Sequence, residues 1–196
     1  LGSLIFKKTG TKNAPVILLP GHADEIGFIV SGIHESGYLT FSPLGGWFDQ
    51  VLLAQRVQVM TKKGLRPGVI ASKPPHIMKE EDRAKVVKRD AMYIDIGCSN
   101  VKEAEAMGVR VGDAIVPDST FSTITKTVFK KDKRAGKATL AMGRAFDNRS
   151  GLFVVAEVIR RLAEEKIKHP NCVVGAATSQ EEVGVRGATT TAYLVE

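Results

Sequence analysis

Residues 172–188 read CVVGAATSQEEVGVRGA. The first six, CVVGAA, are an unbroken apolar run of small and β-branched residues, which predicts a short buried strand. The run passes straight into Thr178, Ser179, Gln180, Glu181 and Glu182. Two adjacent carboxylates therefore stand just past the end of a buried element. A helix is expected after Gly184. Working outward, Leu152, Val155, Ala156, Ile159, Leu162 and Ala163 recur at helical spacing, so an amphipathic helix is expected over about 149–166, closed by Pro170. Near the other end of the chain, residues 15–20 (PVILLP) form a second apolar run. It reads as a strand buried on both faces, ending at Gly21-His22-Ala23-Asp24.

Between these segments the texture changes. Residues 25–137 hold short β-like runs split by turn residues: IGFIVSGI, GYLTFSPLGG, RVQVMTKKG, GVIAS, MYIDIG, DAIVPD and ITKTVFKK. Close spacing of this kind suggests a small barrel or sandwich. One short helix fits residues 100–107, with Asn100 as N-cap, Glu103 as its capping-box partner and Gly108 as the stop. The charged stretch 79–90 (KEEDRAKVVKRD) reads as an exposed loop. The expected architecture is an α/β domain, residues 1–24 and 138–196, carrying an inserted β-rich domain, residues 25–137.

Three polar clusters sit at the ends of buried elements: His22 with Asp24, Asp147 before the long helix, and Glu181 with Glu182. In α/β sheets ligands collect beyond the carboxyl ends of strands, so one site could gather all three. One imidazole and several carboxylates suit Zn²⁺ or a neighbouring transition ion. A carboxylate can also bridge two metals, which two-metal hydrolases hold about 3.5–4 Å apart. Asp24 could accept a hydrogen bond from the far ring nitrogen of His22 and orient it. Glu181 and Glu182 could divide the roles of proton acceptor and ligand, given an irregular backbone there. Each piece alone has an ordinary explanation. A His at a strand end is usually structural, an Asp before a helix is usually a cap, and a Glu pair in a loop is usually solvated.

The chain has 196 residues, 43% of them hydrophobic and 25% charged, an ordinary globular composition. Its formal charge is +7, but the basic residues form no sustained stripe. The densest run, Lys130, Lys131, Lys133, Arg134 and Lys137, reads as a solvated hairpin loop with no aromatic residues interleaved. Nucleic acid is therefore not an expected partner, and no apolar run is long enough for a membrane span. Cys98 and Cys172 stand in apolar surroundings and read as free thiols in a reducing, cytoplasmic compartment. The chain opens at Leu1 and closes on AYLVE, and both ends read as interruptions of a longer protein.

Three strings carry a resemblance: GHADEIGF at 21–28, AFDNRSG at 145–151 and QEEVGVRGA at 180–188, with PLGGWFDQVLL, SKPPHIMKEED and YIDIGCSN between them. They resemble, in order and over nearly the whole chain, the glutamyl and deblocking aminopeptidases. That family includes the tetrahedral (TET) aminopeptidases, and some of its members carry a cellulase label. The resemblance implies a zinc-exopeptidase-like α/β/α catalytic domain with an inserted barrel or PDZ-like domain used in homo-oligomer assembly, from dimer to dodecamer. It implies an aminopeptidase acting on peptide substrates with two divalent ions per subunit, zinc or cobalt. His22 would bind the first ion, Asp147 would bridge, Glu182 would bind the second, Glu181 would be the general base, and Asp24 would support His22. His34, His76 and His169 would not be ligands. The family scheme also calls for an Asp soon after the Glu pair and a His further on, whereas here no Asp follows Asp147 and no His follows His169. A related metal-dependent deacylase, and a fragment that only oligomerises or binds without turnover, are the rival readings.

Overall fold

Element order along the chain is set by where the apolar runs break. In the computed structural model, which describes residues 2–12, 15–129 and 135–193, the strands and α-helices are β1 (Leu4–Lys8), β2 (Ile17–His22), β3 (Gly27–Ile33), β4 (Leu39–Leu44), β5 (Arg56–Thr61), β6 (Gly64–Ser72), α1 (Glu80–Arg83), β7 (Met92–Asp95), α2 (Val101–Ala106), β8 (Ala114–Pro117), β9 (Ser122–Phe129), β10 (Ala135–Met142), α3 (Phe146–Glu164), β11 (Val173–Thr178) and α4 (Arg186–Ala192). They divide into two compact units. One comprises Leu1–Glu25 with Ser119–Glu196, and the other Ile26–Asp118. The protein thus has a mixed α/β fold that includes a six-stranded barrel.

The barrel unit follows from period-two alternation. In β5, Val57 and Val59 are buried between outward Arg56, Gln58 and Met60, and in β3 Phe28 and Val30 point inward. The strands close in the order β3-β4-β7-β6-β5-β8. Ile115 of β8 makes the closure, standing opposite Phe28 of β3 and Val59 of β5. Ile115, Val59, Leu39 and Ile94 are fully buried, each contributing about 1.5–3 kcal/mol by removal from water. Phe28 also stacks on Trp47 at 4.6 Å and meets Phe41 edge-on at 5.1 Å. The short helix α2 is capped as its sequence dictates. Asn100 Oδ1 accepts the Glu103 amide at 3.0 Å, and the Glu103 carboxylate reaches back to the Ser99 amide at 2.8 Å.

The seventh β-like run behaves differently from the other six. Its first six residues, ITKTVF, belong to β9, which among the described residues pairs only with β10, in a hairpin running from Ser122↔Met142 to Phe129↔Ala135. That hairpin groups with the first unit, so the compact boundary falls at 118/119 and not near 138. Of the basic run, Lys130, Lys131, Lys133 and Arg134 lie outside the described residues, while Lys137 stands on β10. Stretch 79–90 is largely exposed, as its charge predicts, with the single turn α1 inside it.

In the first unit β11 is central, antiparallel to β1 and parallel to β2. Flanked on both edges, its VVGA segment is buried. β2 is less covered than its apolar sequence implies. Val16 and Ile17 are each 42% exposed, and only Gly21 and His22 are buried. The reason is position: among the described residues β2 is an edge strand. Helix α3 crosses β2 where no side chain intervenes, since a Cβ on Gly21 would lie 2.7 Å from the Leu152 amide nitrogen. Its inward face is Val155 and Ile159. No helix among the described residues is long and apolar enough to cross a membrane. Cys98 is buried, Cys172 half-buried, and both are free.

Candidate functional site

Because β2 and β11 run parallel and in register, they end side by side. His22 pairs with Thr178, and the Ala23 amide donates to Thr178 O at 2.8 Å. The polar residues following each strand are thereby delivered to one place. His22 is 6% exposed. Its Nδ1 donates to the main-chain oxygen of Asp24 at 3.0 Å, and its Nε2 stands 3.1 Å from Asp147 Oδ1 and 3.7 Å from Glu181 Oε2. With Nδ1 protonated against a carbonyl, the neutral ring presents the Nε2 lone pair to two carboxylates. That arrangement of acceptors calls for a cation between them, either a proton or a metal ion.

Burial acts to lower the His22 pKa, but it is outweighed by the Asp24 carbonyl, the Asp147 carboxylate and the charges of Glu181 and Asp24, so the pKa is raised. Glu182 is also raised, first by burial and then by Glu181, Asp147 and Asp24, with His22 opposing. His22, Glu181 and Glu182 each offer a donor atom, and the three atoms lie within 4.8 Å of one another. One imidazole nitrogen and carboxylate oxygens at that spacing fit a divalent transition ion. Among the described residues no other His, Cys, Asp and Glu group does so, which leaves His34, His76 and His169 outside.

The M42 glutamyl aminopeptidase profile matches residues 2–196. The chain belongs to the M42 glutamyl aminopeptidase family. A TET aminopeptidase from the marine sediment archaeon Thaumarchaeota archaeon SCGC AB-539-E09 is 53% identical, with a TM-score of 0.87 over 99% of this chain and 51% of that one. The lysyl aminopeptidase of Pyrococcus furiosus is 32% identical over 197 residues, covering 100% of this chain and 52% of its own length. The Pyrococcus horikoshii TET1 peptidase, which can assemble into a tetrahedron or a large octahedral shell, is 31% identical with a TM-score of 0.78 over 99% of this chain and 53% of that one. The chain thus spans about half the length of these relatives.

Two features of this M42 chain go beyond the sequence reading. Asp24 was expected to bind the far nitrogen of His22 through its carboxylate. The main-chain oxygen of Asp24 does so instead, and the carboxylate lies 3.7 Å from Nδ1. The two carboxylate oxygens accept the amides of Glu181 at 3.2 Å and Glu182 at 3.1 Å. Asp24 therefore holds the backbone of the Glu pair. That backbone is irregular: Gln180 takes φ +58°, breaking the line of β11 before the two glutamates, and the turn closes through Gly184 and Val185 amides onto Glu181 O.

The second feature concerns the start of α3. Residues Asp147 and Asn148 have non-helical backbone angles, with a cis peptide bond between them. Asn148 Oδ1 accepts the Gly151 amide at 3.1 Å and so acts as the cap of the regular helix. The ordinary explanation for Asp147, a capping residue, is thereby taken over by its neighbour, and its carboxylate is turned to His22. Glu25, Arg144 and Arg149, none of them singled out from the sequence, tie the same two segments together.

Proposed function

We propose that this M42 chain carries the metal-binding and proton-transfer part of an aminopeptidase site that hydrolyses N-terminal residues from peptides. The observation that carries the reading is the convergence of His22, Glu181 and Glu182 donor atoms within 4.8 Å, with Asp147 3.1 Å from His22. In this reading His22 would hold one of two ions, Glu182 would hold the other, and the Asp147 carboxylate would be shared between them. When bound, two divalent ions such as zinc or cobalt supply Lewis acidity, lowering the pKa of water and polarising the scissile carbonyl.

The chain's own residues do the rest. Asp24 fixes the Glu pair through its two amides, so that the carboxylates cannot swing with the loop. His22, oriented by its Nδ1–H bond to the Asp24 carbonyl, keeps Nε2 available as a donor. Glu181 accepts the proton of the attacking water at a carboxylate oxygen. The water oxygen bonds to the carbonyl carbon of the first peptide bond, the C–N bond breaks, and Glu181 returns the proton to the leaving amine. The first unit, Leu1–Glu25 with Ser119–Glu196, would be the catalytic domain of zinc-exopeptidase type. The barrel unit, Ile26–Asp118, would be a PDZ-like inserted domain that supports homo-oligomer assembly, a reading supported by the assembling Pyrococcus relative.

The experiment is Glu181→Gln together with chelation. Hydrolysis of aminoacyl-anilide substrates should stop in chelator and return on adding Zn²⁺ or Co²⁺. Glu181→Gln should lower turnover by about 10²–10⁴-fold while retaining metal. Turnover that persists in chelator would overturn the metal reading, and an active Glu181→Gln would move the base elsewhere.

A further inference from the structure

The loop that delivers His22 and Asp24 to the site has further partners on the segment that carries Asp147. Glu25 follows Asp24, and its side chain is only 14% exposed. One of its oxygens, Oε1, receives Arg144 Nη1 and, at 3.5 Å, Arg149 Nη2. Arg149 also donates from Nε to the Ala23 carbonyl at 3.1 Å. The two arginines stand on either side of Asp147 in the sequence. Each successive residue of the loop is therefore held: His22 meets Asp147, Ala23 O takes Arg149, Asp24 takes the Glu181 and Glu182 amides, and Glu25 takes both arginines.

We infer that Glu25, Arg144 and Arg149 form a clamp that sets the separation of His22 and Asp147. The inference rests on the metal reading above for its consequence, not for its geometry. Asp147 needs such a device. Its side chain is 90% exposed, so packing does not place it. Its backbone is non-helical and follows Ala145 at φ +63°, so the helix does not place it either. What remains is to anchor the residues on both sides. Asn148 caps the helix behind it, and the arginines pin the segment to the loop that carries His22.

An exposed ion pair would contribute little. This one differs because a largely covered carboxylate takes both guanidinium groups, and Arg149 spans a main-chain carbonyl and a side chain at once. Lys at 149 would keep the charge but lose the planar fork that reaches both acceptors. The three are positioning residues, since their atoms are not among the convergent donors.

The test uses the 196-residue chain and Co²⁺ alone. Co²⁺ titration followed by its visible absorption gives both affinity and a spectrum that reports ligand geometry. Hydrogen exchange over residues 144–151 reads the clamp without any metal. Arg149→Lys and Glu25→Gln should each weaken Co²⁺ binding at least tenfold, a loss typical of groups that orient ligands. Each should also shift the Co²⁺ spectrum and speed exchange over 144–151. Arg161→Lys, which alters an ion pair with Glu157 further along α3, should leave all three unchanged. Should Glu25→Gln fail to fold, Arg149→Lys decides alone. Affinity, spectrum and exchange within twofold of the parent chain would overturn the clamp, as would faster exchange with an unchanged spectrum and affinity. If the parent chain binds no Co²⁺, the metal reading has failed, and exchange in Arg149→Lys alone decides the clamp.

Discussion

His22 Nε2 and Asp147 Oδ1 are 3.1 Å apart across 125 positions of sequence. The contact joins the end of β2 to the start of α3. It depends on the close approach of that helix to Gly21, where a Cβ would collide with the Leu152 backbone. Removing either partner leaves the other carboxylates or the imidazole without its counterpart. His22→Ala and Asp147→Ala should each reduce Zn²⁺ affinity of the chain by ~100-fold or more, the upper end of losses seen at metal-site groups. Competition against a chromogenic chelator measures this, and affinity within threefold of the parent would remove that residue from the ligand set.

Asp24→Asn replaces one of two acceptor oxygens with an NH₂ group that faces an amide. The Glu181 and Glu182 amides cannot both be satisfied. A stability loss of about 1–3 kcal/mol is expected in urea, the cost of an unsatisfied, charge-assisted hydrogen bond. The expected accompaniment is weaker metal binding, because the Glu backbone is no longer held. An unchanged midpoint would mean that the carboxylate is not the anchor of that turn.

The metal-free chain should lose stability as pH rises. Burial works to lower the His22 pKa but is overcome by the Asp24 carbonyl and the surrounding carboxylates, leaving it above 6.5. A group raised on folding stabilises fully below its unfolded pKa, and that contribution disappears as pH climbs through the folded value. Glu182, raised first by burial, adds in the same direction from 4.5 upward. Thermal melts in chelator should therefore fall between pH 5 and 8, an interval set by the ordinary His pKa of about 6.5. His22→Asn should flatten the upper part of the curve. A melting temperature that rises across this interval would contradict the arrangement of charges.

In the barrel, Ile115 is fully buried and faces Phe28 on one neighbouring strand and Val59 on the other. Ile115→Ala should cost about 2–5 kcal/mol through lost burial and the cavity left behind. Denaturant unfolding followed by Trp47, which stacks on Phe28, is the suitable probe. A loss below 1 kcal/mol would indicate that β8 is not what closes the barrel.

Much of the local structure was legible because its causes are local. Alternation over two residues located β3 to β8, helical spacing located α3, and Asn100 with Glu103 announced α2. The apolar run before His22 was also a correct strand, but its exposure was not legible. A run of Val, Ile and Leu reads the same whether a strand has neighbours on both edges, as β11 does, or on one, as β2 does. The partner of β9 was hidden for the same reason, since alternation says which face is apolar but not which strand lies alongside.

The site divides along the same line. By itself the sequence determined which side chains are available: an imidazole and a carboxylate after one strand, a carboxylate before the long helix, and two after another strand. Its exact strings also determined the family. Only the tertiary structure decided that these groups meet, that the main chain of Asp24 and not its carboxylate orients His22, and that Asn148 releases Asp147 from capping. It alone revealed Glu25, Arg144 and Arg149 as a unit. The physical reason is range. Backbone propensity and side-chain periodicity act over a few residues, whereas the contacts that shape this site join segments more than 100 residues apart. Those contacts exist only once parallel register and a helix crossing at Gly21 have brought the segments together.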